Sequence, residues 1–120
     1  MSEFVDCIQR LRELSEELET LGAQLIEVET EFEPVDADYQ KFMDDHAIGL
    51  WQRSQDDKDF KLPSEKLRIQ LAHRAMEPAL LGRHQGLLMS RGRIKERISS
   101  LKAQVEAQRS ILSAMKEGMA

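Results

Sequence analysis

The sequence predicts an all-α protein: a long helical hairpin with coiled-coil heptads that assembles into a dimeric or larger helical bundle. Three observations carry this expectation. The 120 residues are 32% charged and 41% apolar but only 5% aromatic. They are rich in Leu, Glu, Arg, Gln and Ala and poor in β-branched types, a composition that favours helix over strand. Apolar residues recur at alternating spacings of three and four over long stretches, the signature of a coiled-coil seam. The charge is also divided along the chain, with 10 acids and 2 bases in residues 2–33, 7 and 4 in 34–61, and 5 and 11 in 62–120.

The first arm, residues 2–33, places Phe4, Cys7, Leu11, Leu14, Leu18, Leu21, Leu25, Val28 and Phe32 at successive a and d positions. Ser2 is a natural N-cap, with Glu3 and Asp6 at the positive end of the helix dipole. The Glu33-Pro34 pair disfavours helical backbone at 33 and removes a donor at 34, so a break or kink is expected there. Val35, Tyr39 and Phe42 keep the spacing and predict a short second helix from about Asp36 to His46. Residues 47–63 hold a glycine, a proline, several Asp and the only Trp, and they read as the connection at the tip of the hairpin. The whole of 1–120 is thus expected to be one domain: an acidic arm (2–33), a kinked helix and tip (34–63), and a basic arm (64–120).

Ser64 is the expected N-cap of a third helix carrying Leu67, Leu71 and Ala75, which Pro78 kinks or interrupts. Gly82, Gly86 and Gly92 weaken the stretch that follows, each by ~1 kcal/mol against Ala. The heptad then returns as Leu87, Ile94, Ile98, Leu101, Val105, Leu112, Met115 and Met119, with Arg91 and Gln108 as polar seam residues that set register. At 1.5 Å per residue, the first arm spans roughly 48 Å and the stretch from Ala79 to Glu117 roughly 58 Å, so the two can lie side by side.

The e row of the basic arm holds Lys95, Lys102, Arg109 and Lys116, for which the facing row of the first arm offers only Glu29. Its other mates are therefore expected on a second chain, at Glu3, Glu17 and Glu31, or on an external anion. The c and f positions Ser100, Ala103, Ala107, Ser110 and Ala114 are small enough for another helix to approach closely. The oligomer seam is assigned to Leu11, Leu14, Leu18, Leu21, Leu25, Ile94, Ile98, Leu101, Val105 and Leu112.

Chemistry finds little purchase. The one cysteine, Cys7, sits at a d position, where it acts as a small apolar residue and excludes both an intrachain disulfide and a cysteine zinc site. Asp44, Asp45 and His46 point in different directions on a helix, and neither His73 nor His84 has a partner at metal-ligand spacing, so no metal is expected. No phosphate-cradling loop, nucleophile elbow or paired carboxylates occur, so no catalytic residue and no cofactor are expected and the protein is read as a non-enzyme. The N-terminus MSEFVDCIQR has no basic segment followed by an apolar run, and nothing approaches the ~20 apolar residues of a membrane span. A cytoplasmic protein is expected.

Two surfaces remain as binding candidates. Leu50, Trp51, Phe60 and Leu62 form either a partner-binding tip or a set of loop-to-helix contacts. Arg83, Arg91, Arg93, Lys95, Arg97, Lys102, Arg109 and Lys116 could meet a phosphate backbone, although no aromatic residue is interleaved for base stacking.

The segments KLPSEKLRIQLAHRAM (61–76) and IKERISSLKAQVEAQRSILSAMKEG (94–118) resemble those of small helical accessory proteins from bacteriophage early and recombination gene clusters. The resemblance implies an accessory role in phage DNA metabolism or in countering host defence, exercised by binding a protein or DNA target, and it carries no site residue. The expected function is a non-enzymatic coiled-coil binding protein, homo-oligomeric, with a protein partner. The alternatives are a nucleic-acid-binding accessory protein using the basic arm, and a structural spacer or scaffold.

Overall fold

A computed structural model describes residues 2–119, apart from the Met119 side chain, and it is all-α. Three helices follow one another: α1 (Glu3–Asp56), α2 (Glu65–Ala75) and α3 (Pro78–Met119). Their contacts fall into two compact units. Unit 1 takes the residues up to Glu29 together with those from Met89 onward, and unit 2 takes Thr30–Leu88. No helix among the described residues is long and apolar enough to cross a membrane.

In unit 1 the beginning of α1 pairs antiparallel with the end of α3. The register is read directly from its cross-contacts: Cys7 with Gln108, Arg10 with Gln104, Glu17 with Arg97, and Glu29 with Arg91. Leu14 and Leu101 are fully enclosed and Val105 nearly so, with Leu11, Leu18 and Leu21 packed against them. The residues assigned to a seam between chains thus meet first inside one chain, because α3 carries the complementary stripe. Leu25, Ile94, Ile98 and Leu112 of the same stripe are half-buried. Gln108 and Arg91, the polar seam residues, each find a partner in α1: the Cys7 thiol donates to the Gln108 side-chain oxygen at 3.4 Å, and Arg91 lies 3.5 Å from Glu29. The seam position assigned to Met119 falls outside the described side chains.

Unit 2 departs most from expectation. Helix α1 does not end at Pro34 to give a separate second helix; it continues as one element to Asp56. Proline costs ~3 kcal/mol in a helix interior through its missing N–H and its clash with the preceding turn. Pro34 is solvent-exposed, and the residues around it are held on the other face, where Phe32, Asp36 and Tyr39 all engage His84 of α3. Tertiary contacts on both sides of the proline keep the helix intact. The connection also shrinks from 47–63 to the stretch between Asp56 and Glu65, since residues 47–56 extend α1 and Gly49 is absorbed as a helical residue.

The turn closes on itself. Asp57 accepts from the Asp59 and Phe60 backbone N–H groups, through its side chain and its carbonyl respectively, and the Arg53 guanidinium lies 4.4 Å above the Phe60 ring. Ser64 caps α2 by accepting from the Leu67 N–H, as Ser2 caps α1 by accepting from Val5. Helix α2 runs back along α1 and stops at Met76, whose extended backbone and buried side chain mark the interruption before Pro78. Pro78 opens α3 instead of kinking a longer helix, a position where its missing donor costs nothing.

Candidate binding groove

Within unit 2 the antiparallel packing of α1 against α2 leaves an open groove. Met43, Ala47 and Trp51 follow one another at i, i+4 and i+8 with Asp44 and Ile48 beside them, and all five line one wall. Leu62, Glu65, Arg68, Ile69 and Ala72 line the other. The space holds about 510 Å³, within the range of ligand-binding clefts. Ala72 is buried, and its small side chain takes little of the volume.

The exposure of the walls is unusual. Ile48 is 53% exposed, Trp51 56%, Leu62 40% and Ile69 41%, four large apolar side chains converging on one depression. Scattered exposed apolar residues are ordinary on a protein surface, whereas a contiguous patch marks an interaction site. Asp44 and Glu65 bring negative charge to the groove and Arg68 positive charge, while His46 lies along its edge, its ring 6.2 Å from that of Phe42.

Of the four tip residues expected to bind a partner, Trp51 and Leu62 line this groove. Leu50 and Phe60 do not; Leu50 is half-buried elsewhere on α1 and Phe60 is covered by Arg53. Met43, Ala47, Ile48, Arg68 and Ile69 join Trp51 and Leu62 in the groove, none of them expected from the sequence as a binding residue. The spacing of 43, 47 and 51 would have revealed it had α1 been carried past His46.

A second constellation in unit 2 joins residues of all three helices. The His84 imidazole is 5% exposed and lies flat beneath Tyr39, with ring centroids 3.7 Å apart and planes 8° from parallel. Its Nε2 donates to the Asp36 carboxylate at 2.8 Å, and the Tyr39 hydroxyl shares a 2.7 Å hydrogen bond with His73 Nε2 of α2. The two histidines, unrelated by any sequence spacing, thus meet through Tyr39. Among the described residues no three His, Cys, Asp or Glu side chains come together in a way that could hold a metal.

The basic residues are dispersed. Arg97 directs both Nε and an η-nitrogen at Glu17, at 3.2 and 2.7 Å, so Glu17 is taken up within the chain and is not left for another one. Arg91 and Lys95 share Glu29 at 3.5 and 3.9 Å, and Arg109 lies 3.6 Å from Glu106 of its own helix. Arg93 borders a shallow hollow with Gln24 and Glu27, Lys102 and Lys116 are exposed, and Arg83 lies in unit 2.

Compared with known proteins, the chain matches no family model, no curated protein and no solved structure.

Proposed function

We propose that the protein works by binding, without chemistry of its own, and that the α1–α2 groove takes the apolar face of an amphipathic helix from a partner protein. The observation that carries this reading is the convergence of Ile48, Trp51, Leu62 and Ile69 on one open groove, each at least 40% exposed. The wall from Met43 to Trp51 covers a little over two helical turns, about 12 Å, which matches two or three apolar anchors spaced i, i+3 or i+4 and i+7 on a docked helix. Asp44 and Glu65 favour a cation beside those anchors, and Arg68 an acid. Resemblance to phage accessory proteins supports the same reading, since proteins of that kind act by binding.

Trp51 is the only tryptophan, so its emission reports on the groove. The test is titration of the protein with amphipathic helical peptides selected from a displayed library. Supporting results are a blue shift of Trp51, little dependence on salt, and at least a ~30-fold loss of affinity in Trp51→Ala, the scale of an interface anchor. Three results would overturn the reading. One is a blue shift that grows with protein concentration alone, which would place a second copy in the groove. Another is binding of a mixed-sequence oligonucleotide that weakens steeply with salt, the mark of phosphate contacts by the basic arm. The last is peptide binding left unchanged in both Trp51→Ala and Ile48→Asp.

A further inference from the structure

The two walls of the groove in unit 2 are held with unequal firmness. The α1 wall belongs to a helix of 54 residues, whereas the α2 wall is a helix of 11 residues that buries only Ala72 within its length. A helix that short is marginal in water by itself, so α2 keeps its place through its ties to its neighbours. Both of its ends leave helical backbone, at the turn after Asp56 and at Met76, where ψ is 145°. Among the described residues, one side-chain hydrogen bond ties α2 to another helix: the 2.7 Å bond between Tyr39 and His73. Tyr39 precedes Met43 by one turn of α1 and His73 follows Ile69 by one turn of α2, so this bond joins the two walls at one end of the groove. At the other end Arg53, just beyond Trp51, covers Phe60, just before Leu62. Tyr39 is fixed without help from α2, because its ring lies on the His84 imidazole at 3.7 Å and Asp36 holds His84 at 2.8 Å.

We infer, resting on the groove as the partner's binding site, that Tyr39 is its positioning residue: the bond to His73 latches α2 as a movable wall that closes on a seated partner helix. Helix α2 opens as a unit about the turn between Asp56 and Glu65 and about the Met76–Glu77 bend, while α1 and α3 keep their own contacts. Little burial opposes the motion, since Leu67 and Ile69 are already 45% and 41% exposed. Opening withdraws Glu65, Arg68, Ile69 and Ala72 from the site at once and leaves Met43, Ala47 and Trp51 as a bare stripe on α1. A docked helix touches both walls, so it binds the closed form and draws the equilibrium toward it. Tyr39 does not line the groove, so what it contributes to binding reaches the partner through α2.

The test is amide hydrogen exchange of the full chain, followed residue by residue. The α2 amides should exchange faster than those flanking Leu14 and Leu101, because they are released by local opening. Tyr39→Phe keeps the stack on His84 and should speed α2 exchange by about 5-fold, the factor that matches the loss of one hydrogen bond. Leu14→Ala weakens the core of unit 1, which α2 opening leaves untouched, so it should not change α2 exchange. An amphipathic helical peptide selected for the groove, at about ten times its Kd, should slow α2 exchange by about 10-fold. Exchange in α2 as slow as beside Leu14, or left unchanged by Tyr39→Phe, overturns the proposal. So does Leu14→Ala speeding α2 as much as Tyr39→Phe, or a bound peptide that leaves α2 exchange as it was. A chain that binds no such peptide refutes the groove as a partner site, while the two variants still decide the latch without a ligand.

Discussion

The Tyr39 ring lies stacked on the His84 imidazole, 3.7 Å between centroids, and its hydroxyl reaches His73 at 2.7 Å, so one side chain of α1 holds both α2 and α3. With Asp36 accepting from His84 and Phe32 5.3 Å from the same ring, this cluster fastens α1 on each side of Pro34. A polar group this deeply buried costs little while its hydrogen bond is made and costs the full desolvation penalty when it is lost.

Asp36→Ala should therefore destabilise the protein by about 1–3 kcal/mol, because it leaves the His84 N–H buried without its acceptor. Tyr39→Phe keeps the stack and removes only the bond to His73, so a smaller loss, about 1 kcal/mol, is expected. Urea unfolding followed by circular dichroism separates the two; equal midpoints for Asp36→Ala and the native chain would remove the cluster from the account of unit 2.

Leu14→Ala and Leu101→Ala should each cost about 2–5 kcal/mol, since both side chains are fully enclosed in unit 1 and a cavity would remain. Met89→Ala, at a position 58% exposed, should stay within about 0.5 kcal/mol. Thermal melts of the three variants test the placement of the core, and a large effect at Met89 would contradict it.

Replacing Pro34 with alanine should stabilise the continuous α1, by up to about 3 kcal/mol, by restoring a backbone donor and relieving the clash. Gly86→Ala should add about 1 kcal/mol, because the new methyl group meets nothing within 4 Å. A chain broken at Pro34 would instead show no gain from the first substitution.

The Arg97–Glu17 pair, with both side chains about half exposed, should contribute only about 0.2–1 kcal/mol in a double-mutant cycle, less as salt rises. A coupling well above that range, or one insensitive to salt, would mean that the pair is shielded from solvent by another chain.

The seam of unit 1 was legible because residues of one face recur with a period that only a helix satisfies. Spacing placed Leu11, Leu14, Leu18, Leu101 and Val105 on buried stripes, while their meeting within one chain, Leu14 with Leu101 and Val105, followed only from the packing. The caps at Ser2 and Ser64 were legible for a similar reason, since each serves donors only three residues away. The groove was half legible. Trp51 and Leu62 stood out as apolar residues in a polar stretch, but Met43, Ala47 and Ile48 belong to it only because α1 runs on past Gly49.

By itself the sequence determined what local periodicity and charge can determine: an all-α chain, the stripes its helices bury, and the segregation of acid from base along its length. Tertiary structure alone decided whether Pro34 ends a helix, where the chain turns, and that His73 and His84 share Tyr39. The physical reason is one of range. Propensity and period act over a few residues, whereas the contacts that overrule a proline, or bring two histidines to one ring, join positions 34 to 52 residues apart, and only the packed helices bring them together.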